Sequence, residues 1–168
     1  MGALHLTPYS PLVVLHLRNS DRLGGPERLI LDQAARAGAG VRPVVASFVR
    51  PGVENALLDE ARRRGLETRP IAQRHSYDLR VIGRVRAAIA ATGAHVLVGH
   101  DYKANFVLAR AAKGSATPRV ALVHGYTGEN VKVRFFERLD RRRLAHAAAV
   151  VAVSASVRDV ALAAGAPA

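Results

Sequence analysis

Short apolar runs alternate with helix-patterned segments along this chain, and that alternation limits what it can fold into. Leu12-Val-Val-Leu-His-Leu17, Val41–Phe48, Glu67–Ile71, His95–Val98, Arg119–Val123 and Ala149–Val153 read as strands. Between and after them, Glu27–Ala37, Val53–Arg64, Asp78–Ala91, Tyr102–Ala112, Val131–Ala145 and Ser156–Ala164 read as helices. Pro70 makes the third strand the weakest of the six. Glycines follow the helical segments at Gly38 and Gly40, Gly65, Gly93, Gly114 and Gly165, where a helix is expected to end. Ser156-Val-Arg-Asp159 resembles a capping box with Asp in place of Glu. Parallel strands joined through helices must cross over right-handedly. The expected fold is therefore α/β, a single Rossmann-like, doubly wound parallel sheet with helices on both faces. Ligands of such sheets bind beyond the carboxyl ends of the strands, where strand order reverses.

Composition agrees with that class and removes others. The chain has 168 residues, 49% of them apolar, with few aromatics and no Trp, so Ala, Val and Leu must build the core. It has no Cys, which excludes a disulfide framework and thiolate metal ligation. No stretch approaches the roughly 20 apolar residues of a membrane span, and no basic stretch at the amino end leads into a long apolar run, so no signal peptide is expected. A cytoplasmic location fits both. The net charge of +12 is nearly all Arg, with Lys103, Lys113 and Lys132 the three lysines. Coding bias and function both explain such a count. Either way the field favours phosphorylated ligands, anionic lipid or nucleic acid.

With the strands placed, polar residues collect at their carboxyl ends. Arg18, Asn19 and the Gly24-Gly25 loop follow the first strand, and Pro26 and Glu27 lead from that loop into a helix. Free N–H groups and the helix dipole meet there, and glycine lets a phosphate approach the backbone; a plain tight βα turn explains the same residues. Gly99, His100 and Asp101 follow the fourth strand. His100 and Asp101 form a ligand-orienting pair, or Asp101 only caps the next helix. His124, Gly125, Tyr126 and Thr127 follow the fifth strand and Ser154 the sixth. His124 should leave its strand facing the cleft floor, where an imidazole can take a proton or bind a hydroxyl or phosphate; the alternative is a histidine that satisfies a strand-end carbonyl. The histidines lack metal-ligand spacing, so no metal is expected. In the run Val131–Arg143, Arg134, Arg138 and Arg141 share one helix face opposite Phe135, Phe136 and Leu139. That face is either simply solvated or meets anionic head groups or a phosphorylated acceptor. No stacking platform or duplex-reading motif accompanies it, so no specific nucleic-acid partner is expected.

Four segments in order carry a family resemblance. Val14-Leu-His-Leu17 with Leu23-Gly-Gly-Pro-Glu-Arg-Leu29, Val96–Asn105, Val120–Asn130 and Val150-Val-Ala-Val-Ser154 resemble the amino-terminal domain of family-four retaining glycosyltransferases of the GT-B architecture. The resemblance spans nearly the whole chain, 1–168, as one amino-terminal domain. It implies that Gly24 and Gly25 approach a donor diphosphate and that His124 sits beside the transferred sugar. Asn19, His100, Asp101, Tyr126, Thr127 and Ser154 would line the acceptor side of the cleft. A nucleotide-sugar donor, a glycan or lipid-linked acceptor and no metal cofactor follow from the same resemblance, as does a possible peripheral place on the cytoplasmic membrane face. The family's carboxyl-terminal, donor-binding domain has no counterpart in these residues, so the chain alone is expected to turn over little. Two other readings compete. One is a non-catalytic basic module for a polyanion or anionic membrane. The other is a dinucleotide enzyme, disfavoured because the loop lacks the full G-x-G-x-x-G spacing and no acidic residue ends the second strand, where Ser47-Phe-Val-Arg50 stands.

Overall fold

A computed structural model describes residues 10–124 and 144–167. Six parallel strands form one sheet in the order β3-β2-β1-β4-β5-β6: β1 (Leu12–Arg18), β2 (Val41–Val49), β3 (Glu67–Ala72), β4 (Val96–Gly99), β5 (Arg119–Val123) and β6 (Ala149–Ala152). Helices α1 (Gly25–Ala35), α2 (Ala56–Arg63), α3 (Val81–Thr92), α4 (Tyr102–Ala111) and α5 (Ala155–Ala163) follow the strands. The chain runs outward from β1 to β3, then returns and runs the other way from β4 to β6. Strand order therefore reverses between β1 and β4, which places the ligand crevice of this fold class at their carboxyl ends.

Alternation along the strands divides the core. Val13, Leu15 and Leu17 of β1 join Val44, Ala46 and Phe48 of β2, with Val85 of α3 and Val107 and Leu108 of α4, in one cluster. Val45 points the other way and packs with Ile30, Leu31 and Ala34 of α1 and Leu57, Leu58 and Ala61 of α2. Both faces are thus covered, as a parallel sheet requires. A third cluster, Ala121, Val123, Leu144 and Ala161, serves the β5 side. Pro70 lies in β3, which has β2 as its neighbour on one side only, so its missing N–H is tolerated at the end of the sheet order.

Several boundaries differ from expectation for local reasons. α2 begins at Ala56 because the Asn55 carboxamide accepts the Leu58 N–H and caps it there. α3 begins at Val81, since Asp78 turns its carboxylate onto the Arg74 and Arg80 N–H groups and holds a turn. α5 is capped by Ser154 rather than Ser156. Gly65, Gly93, Gly114 and Gly165 take positive φ after their helices, whereas Gly38 and Gly40 do not; α1 ends instead at Arg36, whose N–H returns to Asp32 O. His95 stands just before β4, where its Nδ1 accepts the Val13 N–H at 3.0 Å in place of a ladder carbonyl.

Candidate active site

Three histidines from three adjacent strands meet at the crevice. His16 lies opposite Val98, and Val98 opposite Val120. Stepping by two along each strand puts His16, His100 and His124 on the same face, the one that carries α1. The rings stack in a row: His16 and His100 centroids are 5.3 Å apart at 26°, and His100 and His124 are 6.1 Å apart at 30°. His16 Nδ1 lies 3.0 Å from His100 Nε2. His100 is 1% exposed, and its Nδ1 is buried without a partner among the described residues, as is His124 Nε2. A buried unpaired N–H costs more than a buried unpaired lone pair. The economical arrangement has His100 Nε2–H donating to His16 Nδ1, which leaves His100 Nδ1 as an acceptor.

The row is held neutral. Burial pushes the His16 imidazole down to about 4. Burial pushes His100 below its ordinary value too, helped by the neighbouring His16 and His124, which oppose a second charge in the row, and by Arg18. His124 is lowered by burial and then by Arg18, against the opposing pull of Glu27 and Asp101. A neutral imidazole can accept a proton or a hydroxyl hydrogen, which an imidazolium cannot.

Arg18 ties this row to the glycine loop. Its Nε donates to Glu27 Oε1 at 2.9 Å, one terminal nitrogen donates to the His100 carbonyl at 2.7 Å, and the same nitrogen is 3.8 Å from Asp101 Oδ2. Glu27, the third residue of α1, reaches back with Oε2 to accept the Gly24 N–H at 2.9 Å. Burial alone would raise the Glu27 carboxyl. The Arg18 hydrogen bond and charge, with the N–H donors of Glu27 and Gly24, outweigh it and hold the carboxyl below its ordinary value. The two glycines consequently differ. The Gly24 N–H is already bound, and a Cβ there would sit 3.0 Å from Glu27 Oε2, while a Cβ on Gly25 would meet nothing within 4 Å. Internal packing explains glycine at 24 and leaves position 25 open to a ligand.

Asp101 does what the simpler reading expected and one thing more. Its Oδ1 accepts the Ala104 N–H at 2.9 Å and caps α4, while Oδ2 accepts the Asn19 N–H at 2.7 Å. Asn19 thereby joins the α4 terminus. Its carboxamide oxygen also accepts from Lys103 Nζ at 3.4 Å, and Lys103 donates in turn to Gln73 Oε1. Ser154 is the cap of α5, at the end of β6. Tyr126, Thr127, Arg134, Arg138 and Arg141 lie outside the described residues. Sequence reasoning passed over His16, Glu27, Lys103 and Gln73. A polar residue inside an apolar strand was the available signal for His16, and a carboxylate at the third helical position was the one for Glu27. Among the described residues, no group of three His, Asp or Glu side chains is placed to hold a metal ion, and no helix is long and apolar enough to cross a membrane.

Comparison with known proteins adds a family and a set of folds. The family model described as Glycosyltransferase Family 4 matches residues 23–168. No curated protein matches in sequence. Among solved structures, the chain is similar to Anabaena Alr3699/HepE in complex with UDP, with 18% identity and a TM-score of 0.74 over 92% of this chain and 41% of that one. The same protein in complex with UDP-glucose gives 19% identity and a TM-score of 0.71 over 92% and 41%. The lipopolysaccharide outer core galactosyltransferase WaaB, in its apo form, gives 12% identity and a TM-score of 0.67 over 92% and 43%. At these identities the likeness is one of fold. The chain spans about two fifths of the length of each of these proteins.

Proposed function

Because the chain belongs to Glycosyltransferase Family 4, we propose that it forms the acceptor-side half of a retaining glycosyltransferase. The reaction moves a sugar from a nucleotide-sugar to a hydroxyl of a glycan or lipid-linked acceptor, with no metal ion. The observation that carries this reading is the neutral histidine row beside the open Gly25 backbone, both at the strand-order reversal. His124 contacts the transferred sugar through a ring nitrogen that has no partner among the described residues. Gly25 and the amino end of α1 face the donor diphosphate, where N–H groups stabilise developing negative charge. UDP and UDP-glucose are the ligands of the HepE structures, which supports a donor of that class. The protein works in the cytoplasm, and its high positive charge suits an acceptor held at an anionic membrane.

The isolated chain binds donor weakly and turns over little, because half of the proposed cleft comes from a second domain. The test is a titration of the chain with UDP and UDP-glucose followed by amide spectra, together with a transfer assay against a panel of nucleotide-sugars. Weak, saturable shifts at Gly25 and His124 without product are expected. Shifts absent from that loop with every nucleotide would overturn the donor site, and sustained transfer by residues 1–168 alone would overturn the need for a second domain.

A further inference from the structure

A second polar feature lies beside the histidine row and is used by nothing proposed above. The ends of β1, β2 and β3 enclose a cleft of about 150 Å³, lined among others by Asn19, Ser20, Phe48, Arg50, Gln73 and Ser76. Lys103, in the first turn of α4, borders it. Its ammonium reaches Gln73 Oε1 and Asn19 Oδ1 and stands 4.5 Å from the centre of the Phe48 ring. One cation thus touches residues at the carboxyl ends of three strands.

The partners of Lys103 are neutral. Among the described residues it forms no ion pair. Two carboxylates lie near enough to influence it, Asp101 and Asp78, and both are committed elsewhere. Asp101 caps α4, holds the Asn19 N–H and faces Arg18. Asp78 is bound by Arg80 and Arg84. Arg50 is a second cation at the cleft, and its carboxylate partner, the exposed Asp21, is 3.5 Å away. Glu54 also lines the cleft and is exposed. Burial, with Arg50 adding to it, pushes the Lys103 ammonium below its ordinary value, against Asp101 and Asp78. A half-buried ammonium without a carboxylate in direct contact is costly, and an incoming anion would relieve the cost. An ammonium has three N–H donors, of which two are accounted for.

We propose that this cleft binds a phosphate group through Lys103, with Arg50 as a second cationic contact and Ser20, Gln73 and Ser76 as neutral neighbours. On the glycosyltransferase reading, and resting on it, the phosphate belongs to the acceptor, either a phosphorylated sugar or a phospholipid head group. Acceptors without phosphate lose this contact, so Lys103 sets acceptor class and does not touch the donor.

The test titrates the chain with inorganic phosphate, glycerol 3-phosphate and neutral glycerol, and separately with vesicles of phosphatidylglycerol or phosphatidylcholine, reading amide shifts. Phosphate and glycerol 3-phosphate should move Asn19, Ser20, Gln73 and Ser76, and glycerol should not. Lys103→Met keeps the aliphatic stem over Phe48 and should weaken binding about tenfold or more, the size of a lost charge-assisted hydrogen bond. Lys103→Arg should restore most of it, and Arg50→Gln, on an exposed side chain, should weaken it less. Shifts with soluble phosphoesters assign a soluble acceptor. Shifts at the same residues only with phosphatidylglycerol vesicles assign a head group. No shift at the cleft with any of them, equal shifts with glycerol, or binding undiminished in Lys103→Met with Arg50→Gln would overturn the site. The donor titration reads Gly25 and His124 instead, so either proposal can fail while the other stands.

Discussion

The histidine row and the Lys103 cleft share the carboxyl edge of one sheet, yet they are built on opposite principles. The row is largely buried and neutral. His16 and His100 sit below their normal titration range, and two ring nitrogens lack partners among the described residues. The cleft is polar and charged, with its amides already engaged: Asn55 donates to Ser20 O, Ser47 Oγ and Phe48 O, and Gln73 accepts from Lys103. Arg18 and Asp101 stand between them and touch both sides, through the His100 carbonyl and the Asn19 N–H. Low dielectric strengthens a single directed interaction, which suits a reacting group. A solvated site with several weak contacts suits recognition.

The strongest way to break this contrast is to remove the strut on the histidine side. Glu27 is 4% exposed and supports both Arg18 and Gly24. Glu27→Ala leaves a partly buried guanidinium without its carboxylate and frees the loop N–H, at a cost of about 3–5 kcal/mol. A urea midpoint should fall accordingly, and Arg18→Met in the same chain should recover part of the loss. An unchanged midpoint would mean that the ion pair does not organise the edge. The cleft-side counterpart is Asn55→Ala, expected to cost about 2–3 kcal/mol by removing the α2 cap and leaving Ser20 O without this donor. Its signature is different: the loss should come with altered amide shifts at Ser20 and Phe48 and unaltered shifts at Gly25. A change at Gly25 as large as that at Ser20 would join the two regions into one unit.

How far this edge was legible differs between its two sides in the same way. His100 and His124 stand at strand ends, where following the apolar runs to their last residue finds them. A doubly wound sheet with a crevice at a strand-order reversal followed from the alternation of strands and helices; that the reversal lies between β1 and β4 came from the strand pairing. His16 was hidden because it sits inside a strand, and only the cross-strand register brings it against His100. Glu27 stood in the glycine-loop segment with no role assigned, because its partner Arg18 is nine residues back across the loop. Gly24 and Gly25 read alike in the sequence; their difference arises from where the Glu27 side chain folds back. Lys103 and Gln73 are 30 residues apart, and no local pattern joins them. Sequence spacing reports contacts along a chain, while this site is assembled across five strand ends.

The finest separation of the two regions is by pH. Histidines whose folded values are lowered bind protons in the unfolded chain before they do so in the native one. Stability is therefore fully present above the unfolded value near 6.5 and falls as pH drops from there towards about 4, where His16 titrates in the fold. Each such histidine contributes a slope of about 1.4 kcal/mol per pH unit in that window. Glu27, with its lowered carboxyl, loses its contribution only below the usual carboxylate range, so it does not produce a slope at pH 5–6.5. The urea midpoint should be level above pH 7 and decline steadily from 6.5 to 5. His16→Asn keeps a group able to meet His100 and should remove about one histidine's share of the slope. Lys103→Met leaves all three histidines in place and should leave the slope unchanged. A slope that His16→Asn leaves undiminished, or that disappears in Lys103→Met, would place the titrating group away from His16.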